Sequence, residues 1–151
     1  MNLRHRITTR LSAPTYLHDV GQGALGIEIR TKDEKTLELI KPIDHWPTRA
    51  RCLAERSLLR YLQGGCSAPI GAQSSLDSSR SEASMPPTSQ SKADVLHLIG
   101  SLLHPQSGVE IRAQYSGFVK TDVDAEDVGI AVAKKILELG GGALLELVKV
   151  P

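Results

Sequence analysis

Aromatic side chains are nearly missing from these 151 residues: one Phe, one Trp and three Tyr, or 3% of the chain. Hydrophobic residues still make up 40%, so any core must be built from Leu, Ile, Val and Ala. Cysteine is scarce too, with only Cys52 and Cys66. Two cysteines at that spacing form neither a disulfide scaffold nor a metal signature, and the default expectation is free thiols in a reducing, cytoplasmic compartment. Neither sign of charge dominates: 18 basic residues against 17 acidic give a net charge of +1. That balance gives no reason to expect nucleic acid or an anionic membrane as partner. No apolar run approaches the roughly 18 residues of a membrane-crossing helix. The basic start, with Arg4, Arg6 and Arg10, has no apolar segment after it and so is not a secretory signal.

What the sequence does have is pattern. Residues 6–11 suit a short helix that the Ser12-Ala13-Pro14 run would break. Gly21, Gly23 and Gly26 punctuate the next stretch. They precede an alternating run, with Leu25, Ile27 and Ile29 on one side and Glu28 and Arg30 on the other, that predicts a strand over 24–30. A nucleotide loop would have its glycines after the strand and at another spacing. Leu37, Leu39, Ile40 and Ile43 predict a helix over 31–43, capped by Thr31 or Asp33 and limited by Pro42. Asp44 is the candidate cap of a longer helix. Its apolar stripe is Ala50, Leu53, Ala54, Leu58, Tyr61 and Leu62, and Gly64 and Gly65 end it.

Residues 73–92 contain eight serines in twenty positions and no periodicity. Such a segment buries too little apolar surface to offset its ordering entropy, and it reads as a disordered insertion. Beyond it, 95–103 reads as a buried strand, 104–108 as a turn and 109–116 as a half-buried antiparallel strand. Asp124, Glu126 and Asp127 open a further helix, Lys134 and Lys135 follow, and Gly140 closes it, the charge order that the helix dipole favours. Its expected buried stripe is Val128, Val132, Ile136 and Leu139, and 143–150 is an apolar tail of open type. Residues 47–151 therefore form a candidate α+β domain with an antiparallel sheet and helices. Residues 20–46, with one strand and one helix, are too few in elements to close a core of their own.

One thiol stands out. Cys66 follows two glycines at the end of a helical pattern, in LQGGCSAPIG, so a turn presents it. By composition it would be an inert thiol, as most cysteines are. Its context resembles the porphobilinogen deaminase (hydroxymethylbilane synthase) family, through VGQGALGIE at 20–28, AER at 54–56 and LQGGCSAPIG at 62–71, in that order. The resemblance implies stepwise condensation of four porphobilinogen units into hydroxymethylbilane, in tetrapyrrole and heme biosynthesis. It implies a dipyrromethane cofactor held as a thioether by Cys66, with Gly21, Gln22 and Gly23 beside it. It also implies that 1–46 is a remnant of upstream α/β domains of periplasmic-binding-protein type, that 47–151 is the C-terminal cofactor-anchoring domain, and that the full-length protein is a monomer.

The resemblance further implies that the catalytic aspartate and most of the cations for the acetate and propionate groups belong to an upstream half that this sequence does not contain. No catalytic residue is therefore assigned, and no metal ligand. The competing reading is a non-catalytic remnant that binds at most a pyrrole or a partner chain. A cysteine hydrolase is the weakest reading, because no His or Asn is placed by motif to activate Cys66. Gln22 could equally serve the backbone of its own turn. Glu55 and Arg56 read as a solvated or interdomain salt bridge, Cys52 as structural, and His45 and His97 as core or surface residues.

Overall fold

A computed structural model describes residues 3–63, 69–78, 85–88 and 90–148. The elements are α1 (Glu34–Ile40), α2 (Trp46–Tyr61), β1 (Ile70–Asp77), β2 (Asp94–Leu103), β3 (Glu110–Val119), α3 (Asp122–Ile136) and α4 (Gly142–Val148). The fold is α+β: one three-stranded antiparallel sheet in the order β1-β2-β3, with α2 and α3 packed on one of its faces.

The sheet follows from the alternation in the sequence. In β2, Leu96, Leu98 and Leu102 turn to the helices and are buried, while His97 and Ile99 turn to the other face. The turn at 104–108 closes the β2–β3 hairpin. The His104 N–H donates to the Val109 carbonyl, and Gly108 sits at φ 70°, a conformation that favours glycine. The core is Trp46, Ala50, Ala54, Leu58 and Leu62 of the α2 region against the leucines of β2 and Val128, Val132 and Ile136 of α3. Helices α2 and α3 approach so closely at Gly129 that a Cβ there would lie 2.1 Å from the Ala54 carbonyl oxygen. The Ser57 hydroxyl joins them by donating to the carbonyls of Ala54 and Glu126.

Several expectations need correction. No strand forms over 24–30: Leu25 is 95% exposed, and the alternation there has no neighbouring strand to pair with. The early helical turn lies at Arg4–Arg6 and not at 6–11. The Ser-rich segment does not begin at 73, because Gln73 to Asp77 complete β1 and pair with β2. Ser74 points inward and is hydrogen-bonded, which composition alone does not reveal. Further on, Pro87 is buried, and the Thr88 N–H donates to the Ser91 hydroxyl. Residues 79–84 and 89 lie outside the described residues.

His45 precedes α2 as its N-cap residue, and Asp44 instead pairs with Arg49 at 2.9 Å. Tyr61 and Leu139 leave their stripes and are exposed. Leu139 does so because a wider helical turn at Leu137–Gly141 carries it off the buried face, with Gly140 at φ 99° breaking the winding. The tail is helical, as α4.

Candidate functional site

The N-terminal segment is tied to the sheet at its β1 edge. His18 and Ala72 exchange backbone hydrogen bonds, and the Arg112 guanidinium donates to the carbonyls of Pro14 and Thr15. Leu17 packs on the open face over Gly71 and Ser101, so closely that a Cβ at Gly71 would lie 2.8 Å from its Cβ. The chain then reaches the turn at 20–23. Gly21 and Gly23 stand at φ 71° and 78°, which side-chain-bearing residues rarely adopt. At neither would a Cβ meet any atom within 4 Å, so the outer side of the turn is unfilled.

Three N–H groups of this turn have acceptors on Asp19 and Glu55. The Val20 N–H donates to the Asp19 carboxylate at 2.7 Å, the Gln22 N–H to the Asp19 carbonyl, and the Gly21 N–H to Glu55 Oε2 at 2.8 Å. Asp19 and Glu55 thus serve the turn backbone that the sequence offered to the Gln22 side chain as its alternative role, and Gln22 itself is exposed. Glu55 is not a solvated ion pair. It is buried, and its second oxygen accepts from the Ser74 hydroxyl, which in turn accepts from Arg51 Nε at 3.0 Å. Arg56 is exposed. Ser74 and Arg51 were not legible as site residues. The AER block drew attention to Glu55, but nothing in the sequence joins it to a turn 34 positions away.

Beside the turn, a cleft of about 460 Å³ is lined by residues 15–19, the start of β1, Ser101, Leu103, Glu110 and Arg112. Arg112 is already engaged, with Glu110 at 2.6 Å as well as the two carbonyls. Cys66 lies outside the described residues. Cys52 is half-buried, and burial, with Glu55 second, pushes its thiol pKa up, which disfavours the thiolate there.

His97 sits on the open sheet face between the Ser116 hydroxyl at 2.7 Å and Asp77 at 3.2 Å. The residue types are those of a triad, but Asp77 is three-quarters exposed and lacks the buried hold a triad needs. It is a surface row, as the sequence suggested for His97. His45 is likewise exposed, bonded to Thr48. Among the described residues no group of three or more His, Cys, Asp or Glu could hold a metal, and no helix is long and apolar enough to cross a membrane.

Fold and site together define a small α+β domain to which a glycine turn from a preceding segment is latched. The family model described as "Porphobilinogen deaminase, C-terminal domain" matches residues 49–138, and that described as "Porphobilinogen deaminase, dipyromethane cofactor binding domain" matches residues 1–38. The chain belongs to the porphobilinogen deaminase family. It is 42% identical over 145 residues to the porphobilinogen deaminase of Debaryomyces hansenii, covering 96% of this chain and 37% of that protein. With the Schizosaccharomyces pombe enzyme identity is 36% over 149 residues, 97% of this chain and 40% of the relative. With that of Desulforudis audaxviator it is 39% over 149 residues, 99% and 42%. The chain thus spans about two fifths of the length of the curated relatives it matches.

The residues present fit a dipyrromethane in two respects. The turn at Gly21 and Gly23 leaves an unfilled backbone surface for a flat ring to approach, and the sequence supplies a thiol, Cys66, for a thioether. The arginine lining the adjoining cleft is already paired, so it is not a ready partner for the group's carboxylates.

Proposed function

We propose that this chain is the cofactor-anchoring part of a hydroxymethylbilane synthase, the transferase that condenses four porphobilinogen units into hydroxymethylbilane for tetrapyrrole and heme biosynthesis. The observation that carries the reading is the pairing of an unfilled glycine turn, within the match to the cofactor-domain model, with the cysteine-bearing LQGGC segment inside the match to the C-terminal model. Residues 1–46 then belong to α/β domains of periplasmic-binding-protein type, and 47–151 to the anchoring domain. A cytoplasmic location is the reading that the scarcity of cysteines supports, and a monomeric full-length protein is what the family resemblance implies.

In this proposal the Cys66 sulfur attacks the aminomethyl-derived carbon of a pyrrole. A C–S bond forms, the C–N bond breaks, and ammonia carries off the thiol proton. Sulfur suits the task because it is strongly nucleophilic and its thioether withstands hydrolysis. When bound, the dipyrromethane supplies the free pyrrole α-carbon on which the chain is extended. Gly21, Gln22 and Gly23 offer backbone and amide groups to its edge, and Glu55 and Ser74 hold that turn against α2 and β1. Covalent tethering keeps successive products in one place, which turns a bimolecular search into a local one.

The second reading, a non-catalytic module, is favoured for the isolated 151 residues by their coverage of two fifths of the relatives. We expect the purified chain to show no deaminase activity, and steady formation of hydroxymethylbilane from porphobilinogen would overturn that. The deciding test is the intact mass of the chain after incubation with porphobilinogen, beside Cys66→Ser. A dipyrromethane increment absent from the variant supports the anchor. An unmodified wild-type mass favours the non-catalytic module.

A further inference from the structure

Glu55 is the only carboxylate of α2, and it lies on the buried side, 8% exposed, beside Ala54 and Leu58. A carboxylate in such a place costs several kcal/mol unless its oxygens are satisfied. Both are: one accepts the Gly21 N–H at 2.8 Å and the other the Ser74 hydroxyl. Both direct donors are neutral, so the charge strengthens two hydrogen bonds and forms no ion pair with either. Ser74 is itself buried, and its oxygen takes Arg51 Nε. One side chain of α2 therefore joins three pieces of chain: the turn at 20–23, α2 and β1.

Upstream, the His18–Ala72 backbone pair holds the chain to β1, and Asp19 accepts the N–H groups of Val20 and Gln22 within the turn. On the side a Cβ would occupy, neither Gly21 nor Gly23 meets an atom within 4 Å. Val20 packs against the core from one side, and the next residues, 24–30, belong to no regular element. The hydrogen bond that reaches Gly21 from the α2–β1 scaffold is the one to the Glu55 carboxylate. We infer that Glu55 is a positioning residue: its carboxylate seats the Gly21–Gly23 turn on the α2–β1 scaffold and so sets the backbone surface that the turn offers to a bound pyrrole group. This deepens the function proposed above and rests on it for the identity of the bound group.

The test uses the full chain, labelled with nitrogen-15, as wild type, Glu55→Gln and Glu55→Ala. In Glu55→Ala the Gly21 amide proton exchanges at least about tenfold faster, while the amides of Leu96 and Val132 keep their protection. In the isosteric Glu55→Gln a neutral acceptor remains, protection returns to within a few-fold of wild type, and the Gly21 amide resonance moves upfield as the charge is lost. Unchanged Gly21 exchange in Glu55→Ala, or equal loss at Leu96 and Val132, overturns the inference. So does an unmoved Gly21 resonance in Glu55→Gln, whether or not Glu55→Ala folds.

Loading is read separately, by intact mass with porphobilinogen. Wild-type chain that does not load counts against the anchoring function, while the Gly21 readout still decides the seating. In chain that loads, Glu55→Ala lowers the modified fraction at least threefold, and equal loading overturns the link between the turn and the bound group.

Discussion

Trp46 is fully buried at the first position of α2, and its indole N–H donates to the buried Asp94 carboxylate at 2.9 Å. It is the only tryptophan in the chain and its largest fully buried side chain. It ties the start of α2 to the start of β2, 48 positions away. Trp46→Phe removes that hydrogen bond and leaves unfilled volume, and we expect it to lower stability by about 2–4 kcal/mol. Urea unfolding followed by circular dichroism would show it, and a loss below about 1 kcal/mol would mean that the bond counts for little. At this scale the sequence is a poor guide. The scarcity of aromatics predicts an aliphatic core, and the core is aliphatic but for the one tryptophan, which is fully buried in it. Glu55 is legible as part of a motif, but its hydrogen bonds to Gly21 and Ser74 depend on how α2 and β1 are brought together. Buried polar partners far apart in the chain leave no periodic trace.

Elements were more legible where their partners are also in the chain. The β2–β3 hairpin and the stripes of α2 and α3 follow from periods of two and 3.6, because each buried face meets another within residues 46–136. The run at 24–30 has the alternation of a strand and no strand beside it, so the pattern has nothing to form. At the start of α3 the acidic first turn resolves into a reciprocal cap. The Thr121 hydroxyl accepts the Asp124 N–H at 3.2 Å, and the Asp124 carboxylate accepts the N–H groups of Thr121 and Lys120. The Lys120 backbone bond is the main cause that holds the Asp124 carboxyl below its ordinary pKa, with the Thr121 bonds and the Lys120 charge adding to it against the opposing effect of burial. A carboxyl with a lowered folded-state pKa adds stability above its unfolded pKa, near 4, and that stability is lost as pH falls through the lower folded value. Asp124→Ala should therefore cost about 1 kcal/mol at pH 7, and the difference from wild type should shrink as pH falls below about 4. Thermal melts of both proteins between pH 7 and pH 3 check this. A gap that stays constant would assign the loss to helix propensity and not to the charged cap.

The molecule as a whole is two unlike stretches. The described residues of 46–148 have a shared core, whereas 24–43 present apolar side chains to solvent: Leu25, Ile27, Leu37, Leu39 and Ile43 are all exposed, Leu25 and Leu39 at 95% and 78%. Helix α1 is locally sound, since Asp33 accepts the Thr36 N–H as its cap and Pro42 lies just beyond, so its apolar residues are held in a pattern without a covering surface. Several large apolar side chains left exposed on one segment favour association. Burying two leucines is worth about 3–6 kcal/mol before the cost of association is taken off. We expect the chain to self-associate with rising concentration in sedimentation velocity, and Leu25→Glu combined with Leu39→Glu to weaken that association by tenfold or more. Because neither leucine belongs to the core, the Trp46 fluorescence melt should shift by no more than a few degrees in the double variant. A wild-type chain that stays monomeric as concentration rises would mean that the segment folds back on itself. A double variant that loses its melt would mean that 24–43 is part of the cooperative unit and not an arm beside it.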